Sequence, residues 1–189
     1  AKALGYAHQR GVVHRDIKPD NVLLSGGTAV VTDFGIAKAI SAARTSAPGA
    51  TLTQIGTSIG TPAYMAPEQA AGDADIDHRA DIYALGAMAY ELLTGKPVFA
   101  DRTAPRMLAA HMGEAPRPVT ELRGDTPTAL SDLVMRCLAK DPASRPQSAG
   151  EIVRVLETMS SGGGVAMPPV LLGGPGMFRK ALTVYIGAF

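Results

Sequence analysis

Tryptophan is absent from the 189 residues, and aromatic side chains make up only 5% of the chain. Sheet sandwiches draw on aromatic and β-branched residues for their packed faces. Scarce aromatics beside 46% apolar residues, many of them alanine, argue instead for an Ala- and Leu-rich helical core. A single cysteine, Cys137, excludes an intramolecular disulfide and suits a reducing compartment. Excess charge of either sign is also missing. Eighteen Lys and Arg against 17 Asp and Glu leave a net charge of +1, which speaks against a polyanion-binding surface, so no nucleic-acid partner is expected. No apolar run reaches the roughly 20 residues of a membrane-spanning helix. Ala1 to Arg10 read as a helix already under way rather than as a signal peptide, and with no initiating Met the chain is expected to be a fragment.

What the chain does contain is a series of helical patterns broken by one short extended pair. Leu4, Ala7 and His8 carry a helical period that stops at Gly11, a residue type suited to closing a helix. The polar stretch His14 to Asn21 reads as a loop. Val22-Leu23-Leu24 and Ala29-Val30-Val31 flank Ser25-Gly26-Gly27-Thr28, a hairpin signal. Residues 38–58 are rich in Ala, Ser, Thr and Gly with no usable period, and a loop of that length is usually functional. Arg79 to Leu93 is apolar nearly all round, as a buried helix is, and Gly95 ends it. Further helices are predicted over Thr103 to His111, from Pro127 to about Leu138, and from a Ser148/Glu151 capping box through Leu156.

Three local patterns then follow in order: His14-Arg15-Asp16-Ile17-Lys18-Pro19-Asp20-Asn21, Asp33-Phe34-Gly35 and Ala66-Pro67-Glu68. A lone Asp-Phe-Gly tripeptide is weak, and Asp16 and Asp33 taken singly read as turn residues. The His-Arg-Asp run with Lys and Asn at set offsets is much more specific. With all three patterns in sequence, the chain resembles the eukaryotic-type (Hanks-type) serine/threonine protein kinases of bacteria. The likeness runs from Ala1 to about Met159. Antibiotic phosphotransferases share parts of the first loop but are not expected to carry the Ala66-Pro67-Glu68 element.

The resemblance implies a mainly α fold, the C-terminal lobe of a protein kinase, with a small catalytic-loop hairpin and no N-terminal lobe. It implies phosphoryl transfer from ATP, with Mg²⁺, to Ser or Thr hydroxyls of protein substrates in signal transduction. The chemistry needs positioning, neutralised charge and a carboxylate near the attacking hydroxyl. Asp16 would take or orient the hydroxyl proton, and Lys18 would set a point charge beside the transferring phosphate. Asn21 and Asp33 offer the oxygen ligands that Mg²⁺ prefers. Thr61 matches the threonine that bonds the catalytic Asp and Lys in Ser/Thr enzymes. Arg15 would receive a phosphorylated residue of the following loop, with Thr53 and Thr57 the favoured acceptors among Thr51, Thr53, Thr57 and Ser58. His14 is expected in the core, Asp81 as a holder of the catalytic-loop backbone, and Glu68 with Arg145 as a buried ion pair. Cys137 reads as core filler.

No Gly-rich phosphate loop, no strand like Val-Ala-Ile-Lys and no helix with a paired glutamate occurs in the chain. The polypeptide alone is therefore expected to be inactive, and the alternative reading is a non-catalytic lobe that binds partners. The expected organisation is a kinase lobe over 1–159, a Gly/Pro-rich juxtamembrane linker over 160–180, and the start of a transmembrane helix over 181–189. Arg179-Lys180 before the uncharged run Ala181 to Phe189 suits the cytoplasmic side of a membrane. A cytoplasmic kinase domain, anchored beyond residue 180 and dimerising for autophosphorylation, completes the expectation.

Overall fold

The structure is a computed structural model, and it describes residues 1–26, 28–34 and 62–161. Helix α1 spans Lys2–His8 and buries Leu4 and Ala7. Gly11, at φ 72°, closes it: the Gly11 N–H reaches the His8 carbonyl and the Val12 N–H reaches back to Ala7, both at 3.0 Å. These two bonds form a Schellman motif, and only glycine takes the left-handed position without strain.

Strands β1 (Val22–Ser25) and β2 (Thr28–Val31) form an antiparallel hairpin, the one sheet among the described residues. Its register pairs Val22 with Val31 and Leu23 with Val30. Leu23 and Val30 share a face that stays open to solvent. The sheet holds the two ends of the site together and contributes little to the core.

The bulk is helical: α2 (Pro67–Ala71), α3 (Arg79–Thr94), α4 (Ala104–Gly113), α5 (Val119–Leu122), α6 (Thr128–Cys137) and α7 (Ala149–Ser161). Helix α3 is the axis. Ile82, Tyr83, Ala87 and Tyr90 are at most 1% exposed, as a helix apolar on most faces requires. Gly95, at φ 77°, stops it through a bond from its N–H to the Glu91 carbonyl. Gly86 lets α6 approach closely, since a Cβ there would lie 2.5 Å from the Cys137 Cβ. Cys137 is the expected filler, its thiol pushed up to about 12 by burial. Burial of side chains the size of Ile82 and Leu138 contributes about 1.5–3 kcal/mol each.

The predicted elements appear with shifted ends. Helix α4 runs two residues past His111, and α7 runs past both Leu156 and Met159. The capping box at α7 is displaced. Ser148 Oγ accepts from the Glu151 N–H as expected, but the Glu151 carboxylate takes the N–H of Gln147 rather than that of Ser148. Helices α2 and α5 were not expected. At five and four residues they are too short to show an apolar period. Among the described residues no helix is long and apolar enough to cross a membrane. Ser160 and Ser161, expected to open the linker, belong to α7, and residues 162–189, which carry the rest of the linker and the membrane expectation, lie outside those described.

Candidate active site

The loop between α1 and β1 owes its shape to one buried carboxylate. Asp81, in the first turn of α3 and 1% exposed, takes the Arg15 N–H on Oδ1 at 2.7 Å. Its Oδ2 takes the His14 N–H at 2.7 Å and lies 2.8 Å from His8 Nε2. Arg15 is thereby held at φ 66°, a left-handed conformation that costs a non-glycine residue about 1–2 kcal/mol. Such strain persists only where surrounding bonds over-determine it.

His14 is fully buried and joins the loop to the hairpin. Its Nε2 donates to the Thr32 carbonyl at 2.8 Å, and its Nδ1 accepts from the Asp16 N–H at 3.2 Å. Those partners assign the ring hydrogen to Nε2. The ring also packs against Phe34, with centroids 4.6 Å apart.

Asp16, Lys18 and Asn21 come together as the spacing predicts. Lys18 Nζ lies 3.3 Å from Asp16 Oδ2. Asn21 Nδ2 donates to the Asp16 carbonyl at 2.8 Å and to Asp16 Oδ2 at 3.3 Å. The Asn21 carbonyl in turn accepts the Thr32 N–H at 2.9 Å, so the hairpin brings Asn21 and Asp33 to one end of the sheet. Asp33 is exposed and sits at φ 54°. Neither its carboxylate nor Asn21 Oδ1 has a hydrogen bond or ion pair among the described residues.

An amide oxygen and a carboxylate with no partner among the described residues fit Mg²⁺, a hard ion that takes one or two carboxylates together with phosphate and water. No group of three or more His, Cys, Asp or Glu that could hold a metal is found among the described residues, and Mg²⁺ bound beside a nucleotide does not need one.

Glu68 and Arg145 form an ion pair. Arg145 forks onto Glu68, Nη1 to Oε1 at 2.7 Å and Nη2 to Oε2 at 2.8 Å. Its remaining N–H groups reach the carbonyls of Ala139, Arg79 and Lys140, so all five guanidinium hydrogens are used. Thr61, Thr53 and Thr57 lie outside the described residues, so the roles expected of them have no geometry here.

Three contacts near the loop were not foreseen. His8 binds Asp81 across 73 positions of sequence. Tyr64 donates its phenol hydrogen to Glu91; burial first, then that bond, raises its pKa well above the usual phenol range. Gln69 Nε2 donates to the Arg15 carbonyl at 3.0 Å. The available signal for Gln69 was its position directly after Ala66-Pro67-Glu68.

The protein kinase domain family matches residues 1–156. The serine/threonine-protein kinase PknB of Mycobacterium leprae is 40% identical over 171 residues, 90% of this chain and 26% of that protein. PknD of Mycobacterium tuberculosis, also a serine/threonine-protein kinase, is 46% identical over 154 residues, 80% of this chain and 22% of that protein. PknB of the same organism is 39% identical over 171 residues, again 90% of this chain and 26% of that protein. The chain thus spans about a quarter of the length of the curated relatives it matches. A family match over 156 of 189 residues, on a catalytic-loop pattern that folds into one hydrogen-bonded unit, makes the chain a member of the protein kinase domain family.

Proposed function

We propose that this chain forms the catalytic-loop lobe of a serine/threonine protein kinase, which moves the γ-phosphoryl group of ATP to a protein Ser or Thr hydroxyl. The observation that carries this reading is the Asp16 carboxylate, which Lys18 and Asn21 both engage at Oδ2. A binding module has no chemical need of that arrangement. The names of the relatives, all serine/threonine-protein kinases, support the same reading.

In the reaction the substrate hydroxyl oxygen bonds to the γ-phosphorus as the bond to the β–γ bridging oxygen breaks and ADP leaves. Asp16 orients the hydroxyl and accepts its proton. Lys18 lies close enough to Asp16 to offset negative charge on the group in transfer. Asn21 Oδ1 and the Asp33 carboxylate would hold Mg²⁺, which when bound neutralises charge on the phosphate oxygens. Arg15 would receive a phosphate on Thr53 or Thr57 and so order the following loop.

The test is phosphate transfer from labelled ATP by the protein as its gene encodes it. Asp16→Asn and Asp33→Asn should each lower turnover by about 10²-fold or more, the scale of a lost general base or metal role. Lys18→Ala should lower kcat more than it raises the KM for ATP. The 189-residue polypeptide alone, with no Gly-rich loop, should transfer no phosphate. Wild-type turnover by Asp33→Asn would refute the assignment. Phosphopeptide mapping of active enzyme should find phosphate within residues 51–58, and a clean loop in fully active enzyme would remove the role given to Arg15.

A further inference from the structure

The peptide unit that joins Arg15 to Asp16 is pinned at both ends. Its N–H, on Asp16, goes to His14 Nδ1 at 3.2 Å, and its carbonyl, on Arg15, takes Gln69 Nε2 at 3.0 Å. On the other side of Arg15, the N–H goes to Asp81 Oδ1 at 2.7 Å. The left-handed φ of 66° at Arg15 sits between these anchors. An arginine released from them relaxes toward an ordinary negative φ. That relaxation rotates the peptide plane and carries the Asp16 side chain with it. Two of the three anchors come from the loop itself and from α3. The third, Gln69, lies 54 positions away on α2.

The chemistry of Gln69 suits this place. Its Oε1 accepts the Ala66 N–H at 3.2 Å, while its Nε2 donates to Arg15. One partner is a donor and the other an acceptor, so the amide has only one productive orientation. Ala66 has no side-chain acceptor to offer in return, so Gln69 supplies only the returning half of a capping box. Its neighbour Glu68 is tied to Arg145. Gln69 therefore spans from a segment fixed to the helical core to the backbone beside Asp16. A small cavity bounded by Arg15, Asp16, Tyr64 and Gln69 marks where the two segments meet.

We propose that Gln69 is a positioning residue for phosphoryl transfer, holding the Arg15–Asp16 peptide so that Asp16 points its carboxylate correctly. The inference rests on the kinase reading above. Two substitutions separate positioning from simple helix capping. Gln69→Glu keeps the acceptor for Ala66 but has no hydrogen to give Arg15. Gln69→Leu loses both bonds at similar size.

In the protein as its gene encodes it, both variants should lower kcat about tenfold, since displacements near an ångström cost up to ~10²-fold. The KM for ATP should stay close to wild type, because Gln69 touches neither Asn21 nor Asp33. Backbone hydrogen exchange at Asp16 should speed up in Gln69→Glu while exchange along α3 is unchanged. If Gln69→Glu turns over like wild type and only Gln69→Leu is impaired, Gln69 is a helix cap and the inference is wrong. Normal kcat in both variants, or an unchanged Asp16 amide, overturns it equally. A variant with a lowered melting point is assayed below its midpoint, where normal kcat again counts against the proposal. An active Asp16→Asn control would sink the kinase reading instead, while the exchange at Asp16 still tests the clamp.

Discussion

Around α3 the molecule is held by contact: Tyr83, Ala87, Tyr90, Phe99, Val119, Val134 and Leu138 form one buried cluster drawn from four segments of chain. Between α1 and the end of β2 it is held by direction. Ile17 is the only large apolar side chain fully buried there, and Leu23 and Val30 face solvent. What fixes that stretch is a set of hydrogen bonds from Asp81, His14, Asn21 and Gln69. Apolar packing supplies most of the energy but sets positions only as well as shape allows. Hydrogen bonds supply less net energy and set angles closely. A site that must aim one carboxylate gains from the second means, provided the first supplies a rigid frame. Asp81 is where the two meet, anchored in α3 and spending its oxygens on the loop.

The comparison breaks most severely at Arg145. Its side chain has no exposure, and its five hydrogen bonds tie Glu68 and three carbonyls together. Arg145→Ala strands the Glu68 carboxylate at 11% exposure and takes one donor from each of those carbonyls. Loss of one partner of a buried pair costs about 3–5 kcal/mol. Urea unfolding should therefore show a loss of that order, with the loop bonds failing alongside the helical core. A loss below about 1 kcal/mol would mean that packing alone holds α2 in place.

The same division explains what the sequence discloses. Features that live within a few residues were legible: the offsets of Asp16, Lys18 and Asn21, the glycine stops at Gly11 and Gly95, and the Ser148 cap. The meeting of Asn21 with Asp33 was legible because a four-residue turn allows one register. The reach of Asp81 to the loop, and the pairing of Glu68 with Arg145, came through resemblance to a family, since 66 and 77 positions separate the partners. Gln69 and His8 left no mark of their own. A glutamine after Ala66-Pro67-Glu68, or a histidine at a helix end, bonds water equally well until the fold brings a partner. Helices α2 and α5 were missed because four or five residues give no period to read.

The comparison is sharpened, with a smaller effect, at His111, a polar group set inside the packed half. The ring is fully buried; Nδ1 meets the Tyr83 hydroxyl at 2.8 Å, and Phe99 lies edge-on at 4.9 Å. Nε2 has no hydrogen-bond partner among the described residues, and the Ala63 backbone pulls toward protonation less strongly than burial and Lys140 pull against it. Burial, and then the Lys140 ammonium, push its pKa down from 6.5 to about 4. The unfolded chain therefore takes up a proton as pH falls through 6.5, and the folded chain does not until near 4. Stability from this group is complete above pH 6.5 and drains away between 6.5 and 4, by at most ~3 kcal/mol at 1.36 kcal/mol per unit. Lys140, pushed down only to about 8, stays charged throughout that window and adds no slope. His111→Gln keeps a polar partner for Tyr83 and removes the titration. The other ionisable groups are common to both proteins and cancel in the difference. Urea midpoints at pH 7 and pH 5 should thus lie closer together in His111→Gln than in wild type, and equal gaps would show that His111 takes its proton while folded.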